Sequence, residues 1–171
     1  PSLGEDSIIK GFNSVLIGYF VVAIFMIFYY KQGGGIAAAI LTLTILFILG
    51  VLAGFGATLT LPGIAGIVLT IGMALDANVL VFERIREEIA VGKTMKASVD
   101  SGFYRAYAAI IDSNVVTFFT GIILYQLGTG PVQGFALTLM IGIVATLFSA
   151  LFISKFIMDF LVSRGMKINV G

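Results

Sequence analysis

Apolar residues run through this chain in long blocks, broken by short polar punctuation. A helix needs about 20 apolar residues to cross a hydrocarbon core of ~30 Å. Five stretches reach that length, near residues 8–30, 36–57, 61–82, 106–127 and 132–162. None alternates with period two, so a β-barrel is not expected. The last is over-long for a simple crossing and is expected to tilt or to emerge into the interface. The expectation is an all-α membrane bundle of five transmembrane helices.

Three connections are expected to be tight turns, with Gly and Pro as breakers: "KQGGG" (31–35), "TLTLPG" (58–63) and "GTGPVQG" (128–134). The fourth, 83–105, is hydrophilic and holds Arg84, Arg86, Lys93, Lys96 and Arg105. Within it Arg84 and Glu88 are spaced i,i+4, and Glu83 and Arg86 i,i+3, which supports a helical extension. Topology and solvation account for this loop; a docking site for a cytoplasmic partner is the alternative.

Composition hardens the membrane reading. Hydrophobic residues make up 59% of the chain and charged ones 11%, against roughly 25% charged in a soluble domain; mean hydropathy is +1.11. The absence of Cys excludes disulfides and thiolate metal sites. The absence of His leaves proton chemistry to carboxylates. A net charge of +1 gives no reason to expect nucleic acid, because the basic residues are sorted by loop. Lys31, the 83–105 segment, Arg164 and Lys167 fall on one side; Lys10 faces the other, near Glu5 and Asp6. The positive-inside rule places the basic side in the cytoplasm, with the N-terminus outside and the C-terminus inside. No charged n-region or cleavage site precedes the first apolar run, and the chain opens on Pro1. It is expected to be part of a longer protein, cut just before a membrane helix.

Asp76 stands out within "GMALDANVLVFERIREE" (72–88). An ionisable residue inside a membrane segment costs at least ~2.5–3.5 kcal/mol on insertion scales, which makes it a functional candidate by default. It precedes Glu83 by seven positions, about 10 Å along a helix, too deep for so short a side chain to snorkel. Asp112 follows Arg105 by seven positions, at about the same depth from the same side. At ~100° per residue, Gly63, Gly66, Thr70 and Asn78 share one face of the third span, and Gly72 and Asp76 share the opposite one. Small and polar residues allow close helix approach in lipid, so this helix is expected to be surrounded by protein. On the next span Ser113, Asn114, Thr117, Thr120 and Gly121 form a polar stripe with Asp112 at its edge. Two readings stand for Asp76. A carboxyl poised between desolvation and hydration can load a proton on one side and release it on the other; alternatively it stays neutral and bonds a neighbouring helix, for ~0.6 kcal/mol on average. No Lys or Arg shares its depth, so a cation would have to come from another part of the protein or another chain. Lys155 and Asp159, at i,i+4, are expected to pair near the basic interface. "QGGGI" (32–36) lacks the Lys-Ser/Thr ending of a P-loop, and no metal-ligand cluster appears. No cofactor is expected, and energy must come from a gradient or a partner.

"PSLGEDSI" (1–8), "LPGIAGIVLTIGMALDANVLVFERIREE" (61–88), "GFYRAYAAIIDSNVVT" (102–117) and "GTGPVQGFALTL" (128–139) resemble the SecD family. These are accessory subunits of the Sec protein-export machinery, within the resistance-nodulation-division superfamily. The resemblance implies helices two to six of a six-helix half-bundle, without the first helix and the external domain. It implies pairing with SecF through a pseudo-twofold arrangement, and work alongside the SecYEG channel on a translocating polypeptide. By resemblance Asp76 and Asp112 match the family's motif aspartates, proton flow through them drives external movements, and SecF is the natural source of the missing cation. The expected role is transport, with no covalent chemistry. A passive scaffold for SecF and the channel, and a proton-driven lipid or drug exporter of the same superfamily, are the alternatives.

Overall fold

The computed structural model describes residues 2–54 and 60–171, with the backbone alone for residues 2–4. The predicted end of the second span at residues 55–57, and residues 58–59 of the second expected turn, lie outside the described residues.

Among the described residues five helical rods carry the fold, each long and apolar enough to cross a bilayer. Helix α1 (Ser2–Tyr30) turns through Lys31 into α2 (Gln32–Gly54). Helices α3 (Leu61–Ala90) and α4 (Met95–Leu127) form a long hairpin. Helix α5 (Gly130–Leu147) passes through a π-helical stretch, Phe148–Ile153, into α6 (Ser154–Ser163). The last three make one continuous 34-residue rod, some 50 Å long at 1.5 Å per residue, so the over-long last span ends well beyond a ~30 Å core.

Two expected loops are largely helical. In "KQGGG" the turn is Lys31 alone, with φ 56°, and the glycines already belong to α2. Their purpose is proximity: a Cβ on Gly34 would lie 1.9 Å from the carbonyl oxygen of Met26. The hydrophilic 83–105 segment is helix on both flanks, with only residues 91–94 between α3 and α4. Thr94 caps α4 by accepting from the Ala97 N–H at 3.2 Å, and Pro62 and Pro131 start α3 and α5 where their missing N–H is no loss.

Ion pairs hold this basic end together, in part differently from the spacing. Glu83–Arg86 forms at 3.1 Å and Lys155–Asp159 at 2.6 Å, both as expected; Lys155 also reaches Asp100 of α4 at 2.7 Å. The Arg84–Glu88 pair does not form. Arg84 bonds Glu87 instead, and Glu88 turns inward, 3% exposed, to Lys93 and to Arg105 at 3.1 Å. Thirty residues of α3 span about 45 Å, so Glu88 in its last turn projects past the hydrocarbon. The hydrogen-bonded Lys93 ammonium pulls its carboxyl below the ordinary 4.5 against the cost of burial, with Arg105 adding to the pull. A lowered folded value means that stability present above the unfolded value is lost as pH falls through the folded one. The α3–α4 hairpin is therefore expected to weaken below about pH 4.5. Glu88→Gln should flatten that dependence in thermal unfolding followed from pH 6 to pH 3; an unchanged profile would remove the pair from the account.

The interior belongs to α3 and the α5–α6 rod. A Cβ on Gly66 would meet Thr138 at 3.0 Å, and one on Gly142 would meet Thr70 Oγ1 at 2.2 Å. This small-residue seam lets two parallel helices nearly touch, as packing in lipid requires. The face predicted from Gly66 and Thr70 is thus the α5 contact. By contrast α1 turns Ile17, Phe20, Val21, Phe25 and Phe28 outward, the expected dress of a lipid-facing helix. At the basic end residues 166–171 fold back beneath the bundle. Gly33 N–H donates to the Asn169 carbonyl at 3.0 Å, and Ile168 and Val170 are 3% exposed, in one cluster with Tyr30, Phe82 and Phe103.

Candidate functional site

Helix α3 is pinned to α5 along the Gly66–Thr70 face, and Asp76, about 100° round the helix from that face, projects away from the contact. It is exposed within this chain, beside a groove of about 180 Å³ between α3 and α4. Met73, Ala77 and Leu80 form its α3 wall; Ile110, Ser113, Asn114 and Thr117 form its α4 wall. A volume of that size has room for several waters, and the polar wall supplies partners for them.

The polar groups of α4 are arranged to accept. Asn114 donates its amide to the Ile110 carbonyl at 2.7 Å, Ser113 its hydroxyl to the same oxygen at 3.2 Å, and Thr117 to the Ser113 carbonyl at 3.0 Å. A hydroxyl that donates to its own helix still offers lone pairs, which suits a protonated carboxyl or water on the other side of the groove. No cation pairs with Asp76 among the described residues. Directly above it Gly72 is exposed, with open space where a Cβ would sit. Among the described residues nothing covers this strip of α3.

Of the residues expected at the site, the structure brings together Asp76, Asn114 and Thr117, with Gly72 at the rim. Asn78 lies elsewhere, 3% exposed, donating to the Ala74 carbonyl at 3.0 Å among Val22, Met26 and Leu41 of α1 and α2. It packs that junction. Asp112 is exposed and does not line the groove, and Thr120 is exposed on α4 with its hydroxyl on Val116. Ser113 belongs to the wall although only its stripe, not its role, was anticipated. The available signal was angular: residues 110, 113, 114 and 117 share one helical face, whereas 112 is turned away from it. No group of three or more His, Cys, Asp or Glu side chains that could hold a metal exists among the described residues.

Comparison with known proteins agrees with this architecture. Residues 1–164 match the family described as protein export membrane protein SecD/SecF, C-terminal. The chain is 63% identical over its whole length to the protein translocase subunit SecD of Rhodothermus marinus. It is 51% identical, over 98% of its length, to that of Syntrophobacter fumaroxidans. It spans 28% and 32% of those two relatives. The crystal structure of SecDF, a translocon-associated membrane protein from Thermus thermophilus, matches 96% of the chain with a TM-score of 0.92 and 46% identity, over 23% of that protein. The same share of SecDF in a super-membrane-facing form matches at 0.90. The α3 and α4 motifs, the five-rod bundle and the match along residues 1–164 together show that the chain belongs to the SecD/SecF C-terminal family of protein export membrane proteins.

Proposed function

We propose that this chain is the membrane part of a SecD subunit that passes protons through the Asp76 groove to assist polypeptide export. The observation that carries the reading is Asp76 itself. It is a carboxylate at membrane depth on the most tightly held helix, facing a polar groove and an open strip, with no cation of its own among the described residues. Such a group can be neutral when the groove is dry and charged when it is wet. Alternation between those states is what couples a proton gradient to a change of helix packing.

The open strip at Gly72 and Asp76 is the surface on which SecF helices would sit and present the missing cation. The SecYEG channel and the translocating polypeptide are the further partners, engaged through portions of the relatives that this chain does not span. By the positive-inside rule the end carrying Arg84, Lys93, Lys96 and Arg105 is cytoplasmic. The chain then lies in the inner membrane with its first residue outside and its last inside. Asp112, outside the groove, is assigned an auxiliary place near the partner interface.

The test is proton flux driven by a pH gradient in liposomes holding the complete SecD–SecF complex, wild type against Asp76→Asn at equal assembly. Asn can still hydrogen-bond a neighbouring helix but has no proton to release, so flux and gradient-driven export should both fall to background. Persistence of both would leave a scaffold and no relay.

A further inference from the structure

The Asp76 groove stops at Leu80, and a second cavity opens on the same stripe of α3, one turn nearer the basic end. Asp76, Leu80, Glu83 and Glu87 follow at i, i+4, i+7 and i+11, a single face of a 3.6-residue helix. Leu80 lines the first cavity and Glu83 the second, which holds about 610 Å³ beneath the returning segment Ile168–Gly171. Glu83 lies about 10 Å from Asp76 along the axis, a gap that a file of about three hydrogen-bonded waters past the Leu80 side chain would span.

Glu83 is held without being used up. The Tyr30 hydroxyl donates to its Oε1 at 2.8 Å and Arg86 Nη1 donates to the same oxygen at 3.1 Å. Its Oε2 has no hydrogen-bond partner among the described residues, and the side chain is 43% exposed. The titratable and charged neighbours are few. Tyr29 and Tyr30 come from α1, with the Arg86 guanidinium 5.6 Å from the Tyr29 ring. From α3 come Arg86 itself and Glu87, which is occupied with Arg84 at 3.2 Å. The cavity's α4 wall is Met95 and its tail wall Ile168–Gly171, neither bearing a charged side chain. Among the described residues Glu83 is therefore a carboxylate with one oxygen held by Tyr30 and Arg86 and the other open to the cavity, between the Asp76 groove and solvent at this end.

We propose that Glu83 is the second proton station of the path. The proton leaving the Asp76 carboxyl passes through water to the Glu83 carboxylate, which becomes the neutral acid and then releases it to solvent. Asp76 is left as carboxylate, ready to reload from the other side. Tyr30 and Arg86 position Glu83 by fixing one oxygen and leaving the other to the cavity. This rests on the reading of Asp76 as a relay.

The experiment compares wild type, Asp76→Asn, Glu83→Gln and Glu83→Asp in liposomes with the complete SecD–SecF complex, at matched assembly. Flux is followed against pH on the basic side. Asp76→Asn should show background flux, and Glu83→Gln at least about a tenfold loss. Glu83→Asp should keep most of the flux with a displaced pH profile, because it restores the proton and not the reach. A Glu83→Gln complex with wild-type flux, beside a dead Asp76→Asn, would overturn Glu83 and spare Asp76. Glu83→Asp as inactive as Glu83→Gln would make Glu83 a structural clip and overturn the proposal. If neither Asp76→Asn nor Glu83→Gln changed flux, the relay reading itself would fall.

Discussion

Asp76→Leu should stabilise this chain in the absence of its partner subunit and destabilise it in the assembled complex, with proton flux lost. The sign change follows from what surrounds the carboxylate. A carboxylate at membrane depth costs ~2.5–3.5 kcal/mol on insertion scales, and an interhelical hydrogen bond returns ~0.6 kcal/mol on average. Among the described residues no ion pair supplies the difference, and the polar wall of Ser113, Asn114 and Thr117 can recover part of it by binding water. Replacement by leucine should then raise the unfolding free energy by about 1–2 kcal/mol. In the complex the proposed partner cation would be left buried and unpaired, and such losses run to about 3–5 kcal/mol. Thermal unfolding of both samples in one detergent reads the two signs directly. Stabilisation in both contexts would show that no cation faces Asp76. Destabilisation in both would show that the chain already satisfies the carboxylate, and the relay would lose its energetic argument.

That prediction depends on a face of α3 that was legible from sequence. Gly63, Gly66 and Thr70 recur at helical spacing opposite Gly72 and Asp76, and small residues in lipid have little reason to be there except contact. The α3–α5 seam and the uncovered Asp76 strip are those two faces in space. Depth was read the same way, from charged residues taken to mark where the hydrocarbon ends, and the relay proposal rests on it. Angle was the weaker part of the site: Asp112, expected at the depth of Asp76, does not line the groove, and Asn78 shares a helix with Asp76 but packs toward α1 and α2. Conformation in polar segments was the weaker signal. Hydrophilicity at 83–105 reports solvent, and a helix projecting into solvent is as hydrophilic as a loop. The glycines of "KQGGG" invited the same error, since glycine serves both a positive φ and close approach, and here Gly34 serves the second. Contacts distant in sequence, such as Tyr30 with Glu83 or Arg105 with Glu88, leave no periodic trace at all.

Gly142→Leu should be among the most damaging single changes in the bundle that remove no charge. Its Cβ would enter the space of Thr70, 2.2 Å from Oγ1, 2.9 Å from Cγ2 and 3.0 Å from Cβ. Thr70 cannot step aside: it is β-branched and stiff in a helix, 1% exposed, with its hydroxyl bonded to the Gly66 carbonyl at 2.9 Å. The strain must move α3 or α5, and overpacking of this kind costs roughly 1–3 kcal/mol or more. Gly50→Ala is the matched control, since nothing lies within 4 Å of its Cβ; it should be neutral or slightly stabilising. The pair Gly142→Ala with Thr70→Ala should recover most of what Gly142→Ala loses alone, because the two nearest atoms of Thr70 are gone and the sites couple directly. Unfolding midpoints of the four variants in mixed detergent measure this, and a Gly142→Leu protein as stable as wild type would refute the seam. The loss should also reach function, because the seam is what aims Asp76. With α3 displaced by even 1 Å, the distance from Asp76 to the α4 wall changes while its chemistry does not. Proton flux in Gly142→Ala should therefore fall although every titratable group is intact, and Thr70→Ala should restore it.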